Sequence, residues 1–330
     1  MRFPEFSGEW NKYTINDLAT VVGGGTPDTT VKSYWGGDIQ WFTPSEIGKN
    51  KYVDFSKRTI TRDGLDNSSA KLLPLHTILL SSRATVGECS IASNECTTNQ
   101  GFQSLIAKQC NIDFLYYLIQ TKKKDLIRNA CGSTFLEISA NEIRKIKVAV
   151  PVQNEQEQIA KLLSLIDERI ATQNKIIEKL QSLIKGLVDE LMTVLLKGKL
   201  YPFSSFYIKA GEGGTPTTSV VEYYTEGTIP FIKIEDLSCK YLTNNKDFIT
   251  ELGMQKSSAW LIPSKSVIYS NGATIGAISI NEYPVCTKQG ILGIVPNTNI
   301  NVEYLYLLMS SSYFSKEISR IITEGTMKTA

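Results

Sequence analysis

The sequence predicts an α+β protein in which two similar domains flank a long coiled-coil-type α-helix. Two observations carry this prediction: a heptad pattern between Pro151 and Leu196, and a repeat that relates the segments on either side of it. The length of 330 residues favours two domains, and contents of 42% hydrophobic and 21% charged residues are ordinary for a chain that buries a core.

The stretch from Pro151 to Leu196 contains no further proline, and Gly186 is its single helix-weakening residue. Gln173 is the one polar interruption in a series of apolar residues spaced alternately by four and three: Ile159, Leu163, Ile166, Ile170, Ile177, Leu180, Ile184, Leu187, Leu191 and Val194. At about 1.5 Å per residue this helix is on the order of 60 Å long, so it separates the two flanking bodies. A narrow apolar seam needs a second helix alongside it, from this chain or another, whereas a solvated helical spacer is the alternative interpretation.

The segments before and after this helix are related by a shift of 189 positions. The shift places Gly24-Gly25-Thr26-Pro27 on Gly213-Gly214-Thr215-Pro216, Ala84-Thr85-Val86-Gly87 on Ala273-Thr274-Ile275-Gly276, and Thr98-Asn99-Gln100-Gly101 on Thr287-Lys288-Gln289-Gly290. One inserted residue then pairs Asp113-Phe114-Leu115-Tyr116 with Glu303-Tyr304-Leu305-Tyr306. The period is too long for a solenoid and indicates a duplicated globular domain. We expect domains at 1–150 and 201–330, with the helix over 151–200.

Each copy reads as a mixture of strands and helices. Apolar and β-branched runs predict strands at Asp38–Phe42, Thr77–Leu80 and Ser266–Tyr269. One-sided apolar patterns predict helices at Ile112–Arg128 and Val302–Ile322. The Gly-Gly-Thr-Pro segments predict turns, because glycine allows unusual dihedral angles and proline blocks a helix.

The second copy ends at a position that corresponds to about Ala140 in the first. The counterparts of the segment 141–151 and of the helix after it are therefore absent from this sequence. We expect either a truncated form or a second chain that supplies the partner helix.

The motifs of common enzyme classes are absent. There is no G-x-x-x-x-G-K-[ST] loop, and the glycine run Gly23–Gly25 is followed by Pro27, where a nucleotide-binding motif needs a helix to begin. The single histidine, His76, excludes most histidine-based triads and any multi-histidine metal site. We therefore predict a chain that is not catalytic alone and binds no metal, while an active site of carboxylates assembled in space is a competing hypothesis.

The cysteines and the N-terminus predict a cytoplasmic protein. Six cysteines lie far apart without a C-x-x-C pair, so they predict neither a zinc site nor a disulfide framework. The N-terminus has no apolar signal sequence, and no stretch of eighteen apolar residues predicts a membrane span.

Several loops combine hydroxyl, amide and cationic side chains, which are the groups that read base edges and hold phosphates. The net charge of +2 does not itself indicate nucleic acid, so contacts would depend on local clustering. The candidate DNA-binding residues are Ser81, Ser82, Arg83, Thr98, Asn99, Gln100, Lys233, Ser270, Asn271, Thr274, Lys288 and Gln289. The same residue types are also ordinary in loops, and Lys122-Lys123-Lys124 is either a solvated face or a phosphate contact.

Taken in order, these features resemble the specificity (S, HsdS) subunits of Type I restriction–modification systems. The resemblance rests on Arg2-Phe3-Pro4-Glu5-Phe6-Ser7-Gly8-Glu9-Trp10, on both Gly-Gly-Thr-Pro turns, and on Ile143-Arg144-Lys145-Ile146-Lys147-Val148-Ala149-Val150-Pro151 followed by Glu155-Gln156-Glu157-Gln158-Ile159-Ala160. It implies two target recognition domains that each read one half of a split, asymmetric DNA sequence. It further implies docking to two modification subunits, which carry S-adenosylmethionine and methylate adenine, and association with ATP- and Mg-dependent restriction subunits. No cofactor is expected on this chain.

The sequence departs from that family pattern because the distal conserved segment and its second helix are absent. We therefore expect a second S chain or an S fragment to pair with the seam residues Ile159, Leu163, Ile166, Ile170, Ile177, Leu180, Ile184, Leu187 and Leu191. The competing interpretation is an inactive or scaffold-only remnant of a specificity subunit that pairs with another chain through the helix.

Overall fold

The computed structural model describes residues 3–132, 136–195, 197–272 and 274–321. Contacts between residues group the chain into two compact units, Met1–Asn174 (unit 1) and Lys175–Ala330 (unit 2). One continuous helix runs from the first into the second, so the predicted α+β class with two similar bodies joined by a long helix is confirmed. The boundary between the units falls within this helix, after Asn174. The predicted boundaries 1–150, 151–200 and 201–330 stay predictions.

Unit 1 contains three sheets and several short helices. Its strands are β1 (Asn11–Thr14), β2 (Ala19–Gly23), β3 (Trp35–Phe42), β4 (Tyr52–Val53), β5 (Arg58–Ile60), β6 (Ile78–Leu80), β7 (Cys89–Ala92), β8 (Cys96–Thr98), β9 (Gln103–Ala107) and β10 (Lys147–Val150). Its helices are α1 (Ile15–Leu18), α2 (Arg62–Asp66), α3 (Ile112–Thr121), α4 (Lys123–Arg128), α5 (Ala140–Lys145) and the start of α6 (Gln153–Leu195). The strand orders are β2-β9-β6-β7-β4, β5-β3-β8 and β1-β10.

Unit 2 repeats the two larger sheets of unit 1. Its strands are β11 (Tyr207–Glu212), β12 (Ile229–Ile232), β13 (Tyr241–Leu242), β14 (Asp247–Ile249), β15 (Val267–Ser270), β16 (Ile278–Asn281), β17 (Cys286–Thr287) and β18 (Ile291–Pro296). Its helices after α6 are α7 (Glu251–Gln255), α8 (Val302–Ser310) and α9 (Ser312–Ile321). The orders β11-β18-β15-β16-β13 and β14-β12-β17 match those of unit 1 strand for strand.

The central strand of each large sheet is buried on both faces. In β6, Ile78 and Leu80 join the cluster that packs against α3, while Leu79 joins the cluster that contains Phe102. In β15, Val267 and Tyr269 pack towards α8 while Ile268 faces the other way. Alternate side chains of a strand point to opposite faces, so these runs are largely apolar because both faces are covered. The strands predicted at Asp38–Phe42, Thr77–Leu80 and Ser266–Tyr269 are confirmed within one to three residues at their ends.

Two predicted helices are wrong in their continuity. The helix predicted over Ile112–Arg128 is divided at Lys122 into α3 and α4, and the Thr121 hydroxyl donates to the Leu118 carbonyl at 2.7 Å just before the division. A hydroxyl that binds a backbone carbonyl in this way competes with the helix ladder. The helix predicted over Val302–Ile322 is divided at Ser311, and residue 322 lies outside the described residues.

Ser311 explains the second division. Its backbone is extended, with φ −72° and ψ 155°, and its hydroxyl accepts a hydrogen bond from the Phe314 backbone N–H at 3.2 Å. Ser311 therefore ends α8 and caps the first turn of α9, which is the usual role of serine at a helix start.

Helix α6 begins at Gln153, two residues after the predicted start, and continues to Leu195; Leu196 lies outside the described residues. The Gln156 side chain is buried, accepts from the Asn111 backbone N–H at 3.0 Å and donates to the Pro151 carbonyl at 3.0 Å. Glu155 is also buried and accepts from the Trp10 indole N–H at 3.2 Å. These two polar side chains thus attach the first turn of the helix to unit 1.

The far end of α6 is attached to unit 2 in a similar way. The Asp189 carboxylate accepts from the Ser312 backbone N–H at 2.7 Å, at the start of α9. Met192 is buried three residues further along.

Candidate nucleic-acid interface

The turn predicted at Gly24–Pro27 is wrong in position, because these residues are irregular and the chain turns at Thr29 and Thr30. The segment from Gly24 to Thr30, called the glycine turn, lies against the loop that follows β8. The Gly25 N–H donates to the Thr98 carbonyl at 2.8 Å, and the Thr26 hydroxyl donates to the Gln100 side chain at 2.5 Å. A Cβ atom on Gly24 would overlap the Asn99 carbonyl oxygen. Glycine is thus required here for close backbone approach, and the approach brings two sequence motifs to one surface.

Unit 2 also brings the second copies of both motifs together, but through different hydrogen bonds. The Gly213 N–H donates to the Ile291 carbonyl at 2.9 Å, and the Gln289 N–H donates to the Thr215 hydroxyl at 3.4 Å. A Cβ atom on Gly213 would overlap the Thr287 carbonyl oxygen. The duplicated motifs therefore mark the same loop junction in each unit.

The structure divides the predicted DNA-binding residues by exposure. Exposed members are Arg83, Gln100, Thr274, Lys288 and Gln289; Asn99 and Lys233 are half-buried; Ser81, Ser82, Thr98, Ser270 and Asn271 are buried. In the described conformation the exposed and half-buried side chains are the ones accessible to a ligand. Contact with DNA stays a prediction for the whole set.

Among the buried members, Ser81 organises its loop from inside, whereas the hydroxyls of Ser82, Thr98 and Ser270 form no hydrogen bond among the described residues. The Ser81 hydroxyl donates to the Arg83 carbonyl at 3.1 Å and shares a 3.0 Å hydrogen bond with the Thr85 hydroxyl. The half-buried Asn99 side chain also contributes, because it accepts from the Gly101 N–H at 2.9 Å. These bonds hold the chain that presents Arg83 and Gln100.

An aromatic and cationic cluster beside this surface was missed by the sequence reasoning. The Arg58 guanidinium carbon lies 3.6 Å from the centre of the Trp35 ring and 5.6 Å from that of Trp41. The two tryptophans meet edge to face at 5.0 Å, and the Trp41 indole donates to the Gly25 carbonyl at 2.9 Å. The cluster is therefore joined through the glycine turn to Thr26 and Gln100.

The corresponding positions of unit 2 hold different residues. By the shift of 189, Tyr224 corresponds to Trp35 and Asp247 to Arg58. Asp247 forms a 2.9 Å ion pair with Lys233, and that hydrogen bond raises the pKa of Lys233 above its usual range. Comparison of the two copies at this shift is the sequence signal that could have found the site.

A second duplicated cluster lies on α3 and its counterpart α8. In unit 1, the Lys51 ammonium lies 2.8 Å from the Asp113 carboxylate, which also accepts from the Tyr52 hydroxyl at 2.5 Å. In unit 2, Lys240 and Tyr241 contact Glu303 in the same pattern. The hydrogen bonds from Lys240 and then Tyr241 hold the pKa of Glu303 below its usual range.

In unit 1 this cluster also holds α6. Lys51 donates to the Ser164 hydroxyl at 2.7 Å, and the Tyr117 hydroxyl donates to the Asp167 carboxylate at 2.6 Å. Burial raises the pKa of Tyr117, and its hydrogen bond to Asp167 raises it further. The phenol thus stays protonated and remains a donor to the helix.

Comparison with known proteins places the chain in a family. The sequence model of the Type I restriction modification DNA specificity domain matches residues 7–182 and 206–329. The chain belongs to this family. Both matched segments contain a large sheet, a three-stranded sheet and the glycine turn described above.

A relative and two solved structures show the extent of the likeness. The Type I restriction enzyme MjaIX specificity subunit of Methanocaldococcus jannaschii is 31% identical over 94% of this chain and 77% of its own. The crystal structure of a Type-I restriction-modification system S subunit from M. genitalium superimposes with a TM-score of 0.51 at 18% identity, over 97% of this chain and 82% of that one. A structure from work on complex assembly and conformational transition of the type I R-M system superimposes with a TM-score of 0.57 at 14% identity, over 96% of this chain and 82% of that one.

Helix α6 continues from unit 1 into unit 2, and its predicted seam is largely exposed. Ile159 and Leu163 are half-buried, and Ile159 packs on the core of unit 1. From Ile166, which is 45% exposed, to Leu191, which is 61% exposed, the other predicted pairing residues are in contact with solvent. Leu162, Ile176 and Leu183 add a second exposed apolar row next to the seam. The apolar face is thus wider than two positions per heptad, and its pairing with another helix stays a prediction.

Across the described parts of these specificity domains, no group of three or more His, Cys, Asp or Glu residues is arranged to hold a metal ion. Within the same residues, no helix is long and apolar enough to span a membrane.

Proposed function

We propose that this chain is the DNA sequence-reading subunit of a Type I restriction–modification complex. In this proposal each unit reads one half of a bipartite, asymmetric target, and the chain directs adenine methylation and restriction without catalysing either reaction itself. The proposal extends the family membership to a specific task for each part of the chain.

The observation that carries the proposal is a duplicated scaffold with unlike surfaces. Both units have the same strand order and the same glycine-turn junction. At that junction unit 1 exposes Gln100 and Arg58, whereas unit 2 exposes Gln289 and Lys288. Two equal scaffolds with different exposed groups are suited to reading two different half-sites.

The proposal also includes a fixed spacing between the two half-sites, and helix α6 supports this part. It is one uninterrupted helix, and each end is attached to a unit by buried side chains, Gln156 in unit 1 and Met192 in unit 2. Two readers on one stiff connector bind jointly at a higher effective concentration than either reader alone, provided that both sites are engaged. Successive major-groove faces recur about every 34 to 36 Å, which sets the spacing that such a connector has to serve.

The exposed face of α6 supports the proposed partners. We assign it to docking of modification subunits and to pairing with a helix from a second S chain or fragment. S-adenosylmethionine is then bound by the modification subunits, and ATP and Mg²⁺ by the restriction subunits. Double-stranded DNA is the ligand of this chain.

The proposal is tested by co-purifying the chain with its modification subunit and locating methylated adenines by single-molecule sequencing of DNA treated with the complex. We expect a split motif whose two halves differ. Modification subunit alone is the control and should leave no motif. An assembled complex that methylates at random, or not at all, contradicts the proposal.

A further inference from the structure

We propose that Arg58, positioned on the face of Trp35, is a base-reading residue of unit 1 that recognises the major-groove edge of guanine. This inference rests on the proposed function and deepens it, because it names one residue and one base pair of the half-site read by unit 1.

The guanidinium of Arg58 is held in place before any ligand arrives. Its central carbon stacks 3.6 Å from the Trp35 ring centre, and the Trp35 indole donates to the Asp28 carbonyl at 3.1 Å. A guanidinium on an aromatic face is a cation–π contact that orients the planar donor group. Less side-chain entropy is then lost when the arginine binds a flat acceptor edge.

The backbone next to Arg58 is also braced. The Ser56 hydroxyl donates to the Arg58 carbonyl at 2.6 Å and accepts from the Trp41 N–H at 2.9 Å. The Gln40 side chain accepts from the Ser56 N–H at 2.7 Å, and Glu46 accepts from the Lys57 N–H at 2.6 Å. Arg58 is therefore an exposed arginine at the start of strand β5, and the chain leading into the strand is fixed by four hydrogen bonds. Such a position is suited to geometric recognition.

The charge of Arg58 has no carboxylate partner among the described residues, and within them no hydrogen bond engages its N–H groups. The nearby Arg62 is different, since it pairs with Asp66 at 3.2 Å. Arginine offers paired N–H donors that match the O6 and N7 acceptors of guanine, which is the commonest specific contact in the major groove. Arg58 is thus exposed, oriented and available for that contact.

The position of Arg58 places it with other candidate contacts. Arg58 is the β-sheet partner of Trp41, whose indole donates to the Gly25 carbonyl in the glycine turn. The next residue, Thr26, holds Gln100. Arg58 and Gln100 therefore belong to one surface of unit 1.

The second copy supports a role in specificity rather than in folding. The counterpart of Arg58 is Asp247, which is neutralised by Lys233, and the counterpart of Trp35 is Tyr224. Trp35 and Tyr224 both pack on the corresponding core cluster, so an aromatic ring is common to the two units. The charge of Arg58 is not common to them and is therefore not required by the shared architecture. A guanine read by this position is therefore expected in one half of the target alone.

The test compares full-length chains carrying Arg58→Ala, Arg58→Lys or Arg62→Ala, each co-purified with the modification subunit. For the wild-type complex we expect a split motif that contains guanine in the half read by unit 1. Arg58→Ala should lower discrimination at one G·C pair by roughly 5- to 150-fold, while the other half-site is still read. Arg58→Lys should restore this discrimination only in part, because an ammonium keeps the positive charge but lacks the paired donors.

Arg62→Ala is the matched control, because it removes the same charge from an exposed arginine that is already paired with Asp66. It should leave the motif unchanged. An unaltered motif with Arg58→Ala overturns the inference while the proposed function stands. Absence of any split motif with the wild-type complex overturns the proposed function, and this inference with it.

Trp35→Leu tests the positioning role of the ring. It should lower discrimination at the same base pair as Arg58→Ala and leave the reading of the other half-site, by unit 2, intact. Equal loss at both half-sites, or loss of complex assembly, would mean that Trp35 serves the fold and not the orientation of Arg58.

Discussion

Single residues in unit 1 have functions that their side-chain type alone does not indicate. Asp113 is an ordinary helix-start residue by sequence. In the structure its carboxylate forms an ion pair with Lys51 and accepts a hydrogen bond from the Tyr52 hydroxyl. Burial raises the pKa of Asp113, but the hydrogen bonds from Lys51 and Tyr52 outweigh burial, so the pKa falls below its ordinary value of 3.8. The carboxylate therefore favours the folded state in its charged form.

Asp113→Asn should lower the stability of unit 1 most at neutral pH. Because the folded pKa is depressed, the contribution of the carboxylate is complete above the unfolded pKa near 3.8 and is lost as pH falls through the lower folded value. The cost of Asp113→Asn in urea unfolding should therefore be larger at pH 7 than at pH 3. Asp63→Asn, at an exposed position of helix α2, is the control. An equal cost for Asp113→Asn at both pH values would contradict the assignment.

Gly24→Ala should destabilise unit 1 by about 1 to 3 kcal/mol, because the added Cβ atom meets the Asn99 carbonyl and the turn has to open. Gly186→Ala is the opposite case. Gly186 lies inside α6, and no neighbouring atom lies within 4 Å of a Cβ placed there, so the helix should gain about 0.5 to 1 kcal/mol. Chemical denaturation followed by circular dichroism measures both. Similar effects of the two changes would show that the turn does not depend on close approach.

At the scale of elements, α6 combines attachment and exposure. Its first turns contribute Ala160 to the core of unit 1, and its end contributes Met192 to unit 2. Between them, seam residues such as Ile177 and Ile184 are 49% and 60% exposed. Such a face is stabilised by burying it against another helix.

Ile177→Asn should therefore weaken self-association or pairing with an S fragment at micromolar concentration. Lys179→Asn, on the opposite side of the same turn, is the matched control because it introduces the same side chain at an exposed position outside the seam. Sedimentation velocity measures the change. A wild-type chain that is monomeric with α6 fully helical would refute pairing through the seam.

At the scale of the whole molecule, two readers on one connector should be separable by mutation. The exposed Lys288 and Gln289 lie in unit 2 at the positions that Asn99 and Gln100 occupy in unit 1. The same scaffold therefore presents a cation and an amide in one unit and two amides in the other. Changes to these groups should act on one half-site at a time.

Lys288→Ala with Gln289→Ala should relax or abolish one half of the methylated motif and leave intact the half that depends on Arg58. Asn99→Ala with Gln100→Ala should have the reverse effect. Base contacts of this kind contribute about 1 to 3 kcal/mol each, so the loss should be visible in the sequenced motif. If either double variant changes both halves equally, the two units do not read independently.

The sequence by itself determined the duplication and the continuous helix. Each depends on local or periodic rules: a shift of 189 positions that aligns separate motifs, and apolar spacing of four and three. The reason for glycine at position 24, a close approach to the Asn99 carbonyl, came from the structure. Patterns of this type are written in neighbouring residues and are readable without a fold. The helix breaks at Lys122 and Ser311 were missed because a single cap or hydroxyl contact outweighs helix propensity there.

Tertiary structure alone decided which candidate residues are accessible and which distant residues act together. Ser82 and Gln100 look alike as loop residues, but one is buried and the other exposed. The stack of Arg58 on Trp35 and the contact of Lys51 with Ser164 join positions that are 23 and 113 residues apart. Such contacts depend on how strands are ordered and helices packed, because a side chain's surroundings are set by the whole fold and not by its neighbours along the chain.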